Sequence, residues 1–234
     1  MPIYAIADLH LSFGVDKPMS IFGDNWEGHS EKIKNNWINK VKPEDTVILP
    51  GDFSWATYLS NADEDFAFLN ELPGKKILLK GNHDYWWTTV TNMKKYLREK
   101  QFNTIDFLYN NSYCVENKII VGTRGWSFTE EESEKMLNRE AIRLKLSIEY
   151  GIQNYGTDKE MICLMHYPPI TQVNLTYQRP SIFVKIMKEY GIKRCYYGHL
   201  HGPSHKDAIE GEMEGINFKL ISADYLNFDL IEIK

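Results

Sequence analysis

Hydrophobic residues along this chain fall in short blocks whose spacing changes character from one block to the next. The runs "IYAIAD", "DTVILP", "KKILLK", "KIIVGT", "EMICLMH", "KRCYYGH", "NFKLIS" and "FDLIEI" are continuous or alternating apolar stretches of strand length. Between several of them the period lengthens to that of a helix. Residues 30–41 place Ile33, Trp37 and Val41 four apart behind Ser30, which predicts a helix with Ser30 as its N-cap. Residues 129–150 open on Thr129 and the acidic "EEESE" and then carry an apolar stripe at Leu137, Ala141, Leu144 and Ile148. Shorter helices are predicted over 88–100 and 181–190, and from about 207 the pattern is strand and turn only. Strands and helices taking turns predict an α/β layered fold, with sheet inside and helices outside.

The strand ends carry the chemistry. The first strand runs into Asp8 and His10, the second into Gly51 and Asp52, and the third into "GNHD", residues 81–84. The run "MICLM" ends at His166, and "RCYY" leads into "GHLH", with His199 and His201. Open α/β sheets bind ligands at the carboxyl ends of their strands, so these side chains are placed to converge. Each fragment alone has an ordinary explanation: a DxH pair caps or sits on the surface, "GD" is a turn, and a histidine before "YPP" sits in a core. "GNHD" is rarer, expected by chance in roughly one chain in a thousand of this length. The combination decides the matter, because five strands of a chain with 7 histidines end this way. His29 and His205 fall outside the constellation and read as surface or loop residues.

Composition then narrows the setting. The chain has 234 residues, is 43% hydrophobic and shows no repeat or Pro/Ser-rich linker, so a single domain over 1–234 is expected. Its formal charge of −5 counts against nucleic acid as a partner. Three cysteines without CxxC spacing, two of them (Cys163 and Cys195) inside apolar runs, predict buried free thiols in a reducing compartment. "PIYAIADLH" reads as a strand rather than a secretion signal, and no apolar run approaches the ~20 residues of a membrane span. A soluble, cytoplasmic protein with no membrane partner is the expectation.

The series DxH, GD, GNHD, H, GHxH, in this order from Asp8 to His201, resembles the calcineurin-like metallophosphoesterase superfamily. The resemblance implies a four-layer α/β/β/α sandwich, two central mixed sheets flanked by helices, with a two-metal site at one edge. By motif position, Asp8, His10, Asp52 and His201 would hold one metal. Asp52, Asn82, His166 and His199 would hold the other, with Asp52 bridging. His83 would face the substrate rather than a metal.

Elementary chemistry agrees with that division. Oxygen and imidazole ligands without thiolate suit two divalent or trivalent ions of Mn, Fe, Zn or Co. Two divalent cations against the carboxylates Asp8 and Asp52 leave a positive core even with a bridging hydroxide, matched to a phosphate that gains negative charge as it is attacked. Such a pair about 3.5–4 Å apart lowers the pKa of a shared water and stabilises an in-line displacement. His83 is then placed to stabilise the transition state or protonate the leaving oxygen, and Asp84 to orient His83 or cap the following helix.

Departures from the family bear on substrate. The phosphoprotein phosphatases continue the second motif as GDxxDR and carry GNHE, whereas "GDFSWAT" and "GNHDYWW" stand here. The lipid A pathway pyrophosphatases carry arginine where His83 stands. Arg124 in "GTRGW" is the candidate replacement phosphate contact, its alternative being a surface arginine near a turn. Trp26, Trp55, Trp86, Trp87, Trp126 and Tyr167 crowd the motif loops, as a stacking, nucleotide-like leaving group would explain. The turn-rich segments 11–29 and 167–180 are expected to form the rim. The expected activity is hydrolysis of a phosphomonoester or small phosphodiester, with a small phosphorylated substrate as partner and no protein partner inferable from the sequence. The alternatives are a nuclease, opposed by the acidic charge, and a non-catalytic scaffold, opposed by the completeness of the ligand set.

Overall fold

In a computed structural model, residues 1–127, 133–176, 178 and 180–234 are described. One five-stranded sheet combines β1 (Ile3–Ala5), β2 (Thr46–Pro50), β3 (Lys75–Leu79), β4 (Ile105–Phe107) and β11 (Ile231–Glu232) in the order β11-β1-β2-β3-β4. A six-stranded sheet combines β5 (Tyr113–Val115), β6 (Lys118–Thr123), β7 (Glu160–Met165), β8 (Arg194–Tyr197), β9 (Gly211–Met213) and β10 (Ile216–Leu220) in the order β5-β6-β7-β8-β10-β9. The inner strands of each sheet are parallel, and β11, β5 and β9 pair antiparallel at the edges.

The alternation of side chains along each strand builds the layers. Ile48, Ile77, Leu79, Ile120, Ile162 and Leu164 pack together between the two sheets. Their neighbours Val47, Leu49 and Leu78 face the other way, into a cluster with Ile33 and Trp37 of helix α1 (His29–Lys40) and Phe66 of α2 (Asp63–Glu71). Ile119, Val121, Cys163 and Met165 likewise meet Leu137, Leu144 and Ile148 of α4 (Ser133–Tyr155) and Phe183 and Met187 of α6 (Ile182–Glu189). A period of two splits each strand between two apolar layers, which is why the strands read as unbroken hydrophobic runs. The result is two mixed sheets flanked by helices, the sandwich expected.

Two differences from the sequence-based elements have local causes. α1 begins at His29, so Ser30 lies inside it; Gly28, in a left-handed conformation, occupies the cap position. α2 escaped the periodicity because its first turn is the acidic Asp63–Asp65, although Phe66 and Leu69 are buried. The expected start of the long helix at Thr129 lies outside the described residues, and the stripe from Leu137 to Ile148 is buried. α3 (Val90–Glu99) and α6 start at Thr89 and Ser181, whose hydroxyls accept from the backbone N–H of Asn92 and Val184. Cys163 and Cys195 are buried and unpaired by disulfide. Among the described residues no helix is long and apolar enough to cross a membrane.

Candidate metal and substrate site

At the carboxyl ends of the strands the two sheets come together. Beyond β1, Ala7 donates its N–H to Ile221 (2.8 Å) and accepts from Ala223 (2.9 Å), which ties the first sheet to the end of β10. The loops leaving β1, β2, β3, β7 and β8 therefore meet in one crevice. Their backbones are held in an uncommon conformation: Asp8, His10, Asp52 and His199 all have positive φ, at 61°, 47°, 50° and 75°. Non-glycine residues tolerate this only when the surroundings enforce it, and such outliers gather at functional sites. Glycine is needed at two contacts. A Cβ on Gly81 would lie 2.0 Å from Asp52 Oδ1, and one on Gly198 would lie 2.4 Å from Asp8 Oδ2.

All seven proposed ligands converge. His10 Nε2 lies 3.3 Å from His201 Nε2 and 3.8 Å from Asp52 Oδ2. On the other side of that carboxylate, His166 Nε2 is 3.5 Å from Asp52 Oδ2. The Asn82 amide oxygen sits 2.6 Å from His166 Nε2 and 2.9 Å from His199 Nδ1. Asp8 Oδ1, fully buried and without a hydrogen-bond partner, lies 3.7 Å from His201 Nε2 and 3.5 Å from His166 Nδ1. Two groups thus emerge that can hold an ion, Asp8–His10–His201 and Asp8–Asp52–His166, with Asp8 common to both; Asp52 Oδ2 is also within 4 Å of both His10 and His166. An orphaned carboxylate oxygen among imidazole nitrogens is an arrangement that a cation completes.

Burial and crowding set the electrostatics of the crevice. Burial pushes the Asp52 carboxyl well above its ordinary range, and Asp84 and Asp8 push it further. Burial also acts upward on Asp8, but the nearby His201, with His166 and His10, outweighs it and holds the group low. Burial drives His166 down to about 3 and His199 to about 4, so both are neutral and free to donate an electron pair. Among the histidines of the cluster His201 alone moves upward, to about 10, because its hydrogen bond to Asp224 and the nearby Asp8 carboxylate overcome burial.

His83 takes a different position. Its backbone N–H donates to Asp52 Oδ1 (2.8 Å), while its ring packs 4.4 Å from Trp55 and lines a cavity rather than the ligand cluster. Burial, then the charges of Lys17 and His201, lower its pKa.

Asp84 corrects an expectation. It neither orients His83 nor caps a helix. Fully buried, its Oδ2 accepts from the N–H of Asp52 (2.9 Å) and Gly81 (2.6 Å), and its Oδ1 from Phe53 (2.9 Å), Ser54 (3.3 Å) and Trp86 Nε1 (3.0 Å). With both oxygens spent on holding two loops together, it is a positioning residue, not a catalytic one.

Arg124 is not a surface arginine. Its guanidinium lies 4.7 Å over the Trp126 ring and 3.6 Å from the buried Glu140, with Nε and Nη2 lacking hydrogen-bond partners. It lines a narrow crevice with Lys80, Glu140 and Arg143, next to the loop that carries Asn82. The segment 11–29 supplies Met19, Phe22 and Trp26 to the cavity beside His83, as a rim would. From 167–180, Tyr167 packs its ring 4.2 Å from that of His199.

Sequence reasoning missed Asp224, on the loop after β10. Its Oδ1 is 2.8 Å from His201 Nδ1, and its Oδ2 accepts from Gly202 N–H (3.0 Å) and lies 3.2 Å from His205 Nε2. His205 therefore belongs to the site's surroundings, and so does His29, whose ring packs edge-on to Trp26 at 5.4 Å.

The family model for calcineurin-like phosphoesterases matches residues 1–203. The chain belongs to that family. It shares the fold of a protein of unknown function, AQ665 from Aquifex aeolicus, at 20% identity and TM-score 0.52, covering 99% of this chain and 95% of that one. The phosphopantetheinyl hydrolase PptH from Mycobacterium tuberculosis is similar at 12% identity and TM-score 0.56, covering 99% and 95%. TT1561 of Thermus thermophilus is similar at 14% identity and TM-score 0.59, covering 99% and 97%. A comparison with curated proteins returns no match. Membership makes the chain a member of a phosphohydrolase family that typically binds a binuclear metal centre, and the converging ligand groups fit one.

Proposed function

We propose that the chain hydrolyses a phosphomonoester or small phosphodiester at a two-metal centre. Asp8, His10, Asp52 and His201 would hold one ion; Asp52, Asn82, His166 and His199 would hold the other. The observation that carries this reading is the placement of Asp52 Oδ2 between His10 and His166, beside the unpartnered Asp8 Oδ1. Bound, the ions supply charge that polarises phosphoryl oxygens and acidifies water. The chain's residues do the rest. Asn82 adds a ligand without adding negative charge. His83, outside the ligand cluster and facing the adjoining cavity, moves a proton to the leaving oxygen. The phosphate's negative charge raises the pKa of His83, opposing the burial that lowers it.

Two measurements test this. Metal analysis of the wild type should find close to two ions per chain, and Asp52→Asn should lose both ions and activity. A single ion, with activity intact in Asp52→Asn, would overturn the bridging assignment. His83→Ala should retain both ions and lose about 10²–10⁴ in turnover, with a smaller loss on nitrophenyl esters, whose leaving group needs little protonation. Equal losses on good and poor leaving groups would remove the proton-transfer role.

A further inference from the structure

Beside the ligand cluster lies a cavity of about 220 Å³, walled at its inner end by His10, His83 and His201 and further out by Trp26, Trp55, Met19 and Phe22. Trp26 and Trp55 are buried, yet both turn part of their rings to this space. Phe22 is 56% exposed, as no residue required only for the core would be. Its ring is 7° from parallel with that of Trp55, the centroids 6.3 Å apart.

Resting on the phosphoesterase reading, we propose that this cavity is the leaving-group subsite and that it selects phosphoesters whose alcohol carries a flat, uncharged aromatic ring, such as a nucleoside. Three features decide the class. The cavity opens directly onto His83, the residue assigned to the leaving oxygen. Among the described residues no carboxylate lines it, and the Lys17 ammonium already sits 3.4 Å over the Trp55 ring, so an ammonium-bearing alcohol would meet a like charge at the place where a cation would bind. The indole N–H of Trp55 is engaged by Met19 Sδ (2.9 Å) and the Gly202 N–H by Asp224, so neither is offered to the edge of a bound ring. Selection by stacking accepts many rings and rejects their absence. At about 220 Å³ the space takes one ring system rather than a drug-sized molecule, whose pockets run from about 300 Å³ upward.

The decisive comparison keeps the leaving oxygen constant. Adenosine 5′-monophosphate and ribose 5-phosphate, or their methyl diesters if only diesters react, release the same primary alkoxide and differ in the ring. kcat/KM should favour the adenosine ester by about tenfold or more, the scale of one stacking contact. Phe22→Ala should lower that ratio several-fold while metal content stays at the wild-type value. Binding is read separately, from quenching of tryptophan fluorescence by adenosine, which has no phosphate, with the chelator-treated and the metal-loaded protein. Adenosine should bind both forms and bind Phe22→Ala more weakly. Equal kcat/KM for the two esters together with no adenosine binding would overturn the subsite and leave the phosphoesterase reading standing. Adenosine binding that Phe22→Ala weakens, in a protein that hydrolyses no phosphoester with any metal, would keep the subsite and discard the phosphoesterase reading.

Discussion

The two sheets contribute to the site in unlike ways. Ligand loops of the first sheet are fastened to one another from within: Asp84, two residues after Asn82, gathers five N–H donors and so joins the Asp52 loop to the Gly81 loop. Ligands of the second sheet are fastened one at a time, by groups from elsewhere. His166 Nδ1 lies 3.2 Å from the carbonyl of Pro50, the His199 N–H donates to Asp8 Oδ2 (2.9 Å), and His201 Nδ1 meets Asp224. The first arrangement concentrates the cost of failure in a single residue, whereas the second spreads it. An orienting carboxylate on a histidine's far nitrogen fixes tautomer and ring direction, so its loss weakens one ligand rather than the whole centre.

The largest effect is expected at Asp84. Asp84→Ala would leave four backbone N–H groups and the Trp86 indole buried without acceptors, at about 1–3 kcal/mol each. Asp84→Asn should be little better. Its NH₂ would replace one of two oxygens that both accept, and would face donors on either side. Both variants should melt well below the wild type and bind neither ion, as read by thermal unfolding and metal analysis. An Asp84→Asn protein with wild-type stability and two ions would show that the first-sheet loops do not depend on this carboxylate.

Asp224→Asn should act more narrowly. An amide can still accept from one neighbour but no longer carries the charge that holds His201 in the direction of Asp8. About 10–100-fold weaker binding of one ion is expected, with the second ion retained, and the apo protein should melt lower at neutral pH, because Asp224 is part of what raises His201. Titration of the apo protein with metal distinguishes the cases: two weakened ions would mean that the halves of the site are coupled more tightly than their separate fastenings imply. Asp224 also lies beyond residues 1–203, the part that the family model matches, so this support is supplied by the chain's C-terminal strand and turn region.

What the sequence made legible follows the same division. The seven residues that converge in the crevice were readable because each sits at or just beyond a strand's end in a short motif, and strand ends are predictable from apolar runs. The fastenings were not. Asp84 was visible beside His83, but its partners Asp52, Phe53 and Ser54 are about thirty residues away, and a hydrogen bond to a backbone N–H leaves no mark in the sequence of the donor. Asp224 has no motif, because its role depends on where β10 delivers it. The aromatic residues divide likewise. Six were noted near the motif loops, and only Trp26 and Trp55 wall the cavity; Trp86 and Trp87 are core, and Trp126 lies under Arg124. Composition shows that aromatic residues are plentiful, but only packing shows which of them retain an open face.

The smallest expected effect concerns Arg124, which stands at the join between the two halves. It comes from the end of β6 in the second sheet, yet shares its crevice with Lys80 at the end of β3 in the first. Glu140 binds Arg143 at 2.6 Å and Thr123 Oγ1 at 2.7 Å, and lies 3.6 Å from Arg124, beyond hydrogen-bond range. The Arg124 fork is therefore held near the site by stacking on Trp126 and by a loose ion pair, with two of its nitrogens unpartnered. A phosphoryl group reaching that side of the centre would find donors available, and a planar fork matches its oxygens better than an ammonium does. Arg124→Ala should lower kcat/KM modestly at unchanged metal content, and Arg124→Lys should recover part of the loss, since it keeps the charge without the fork. The melting temperature is the control, because removing Arg124 also takes one cation from the buried Glu140. If Arg124→Ala melts lower but turns over every substrate at the wild-type rate, the residue serves only to neutralise Glu140, and phosphate is held by the metal centre and His83 alone.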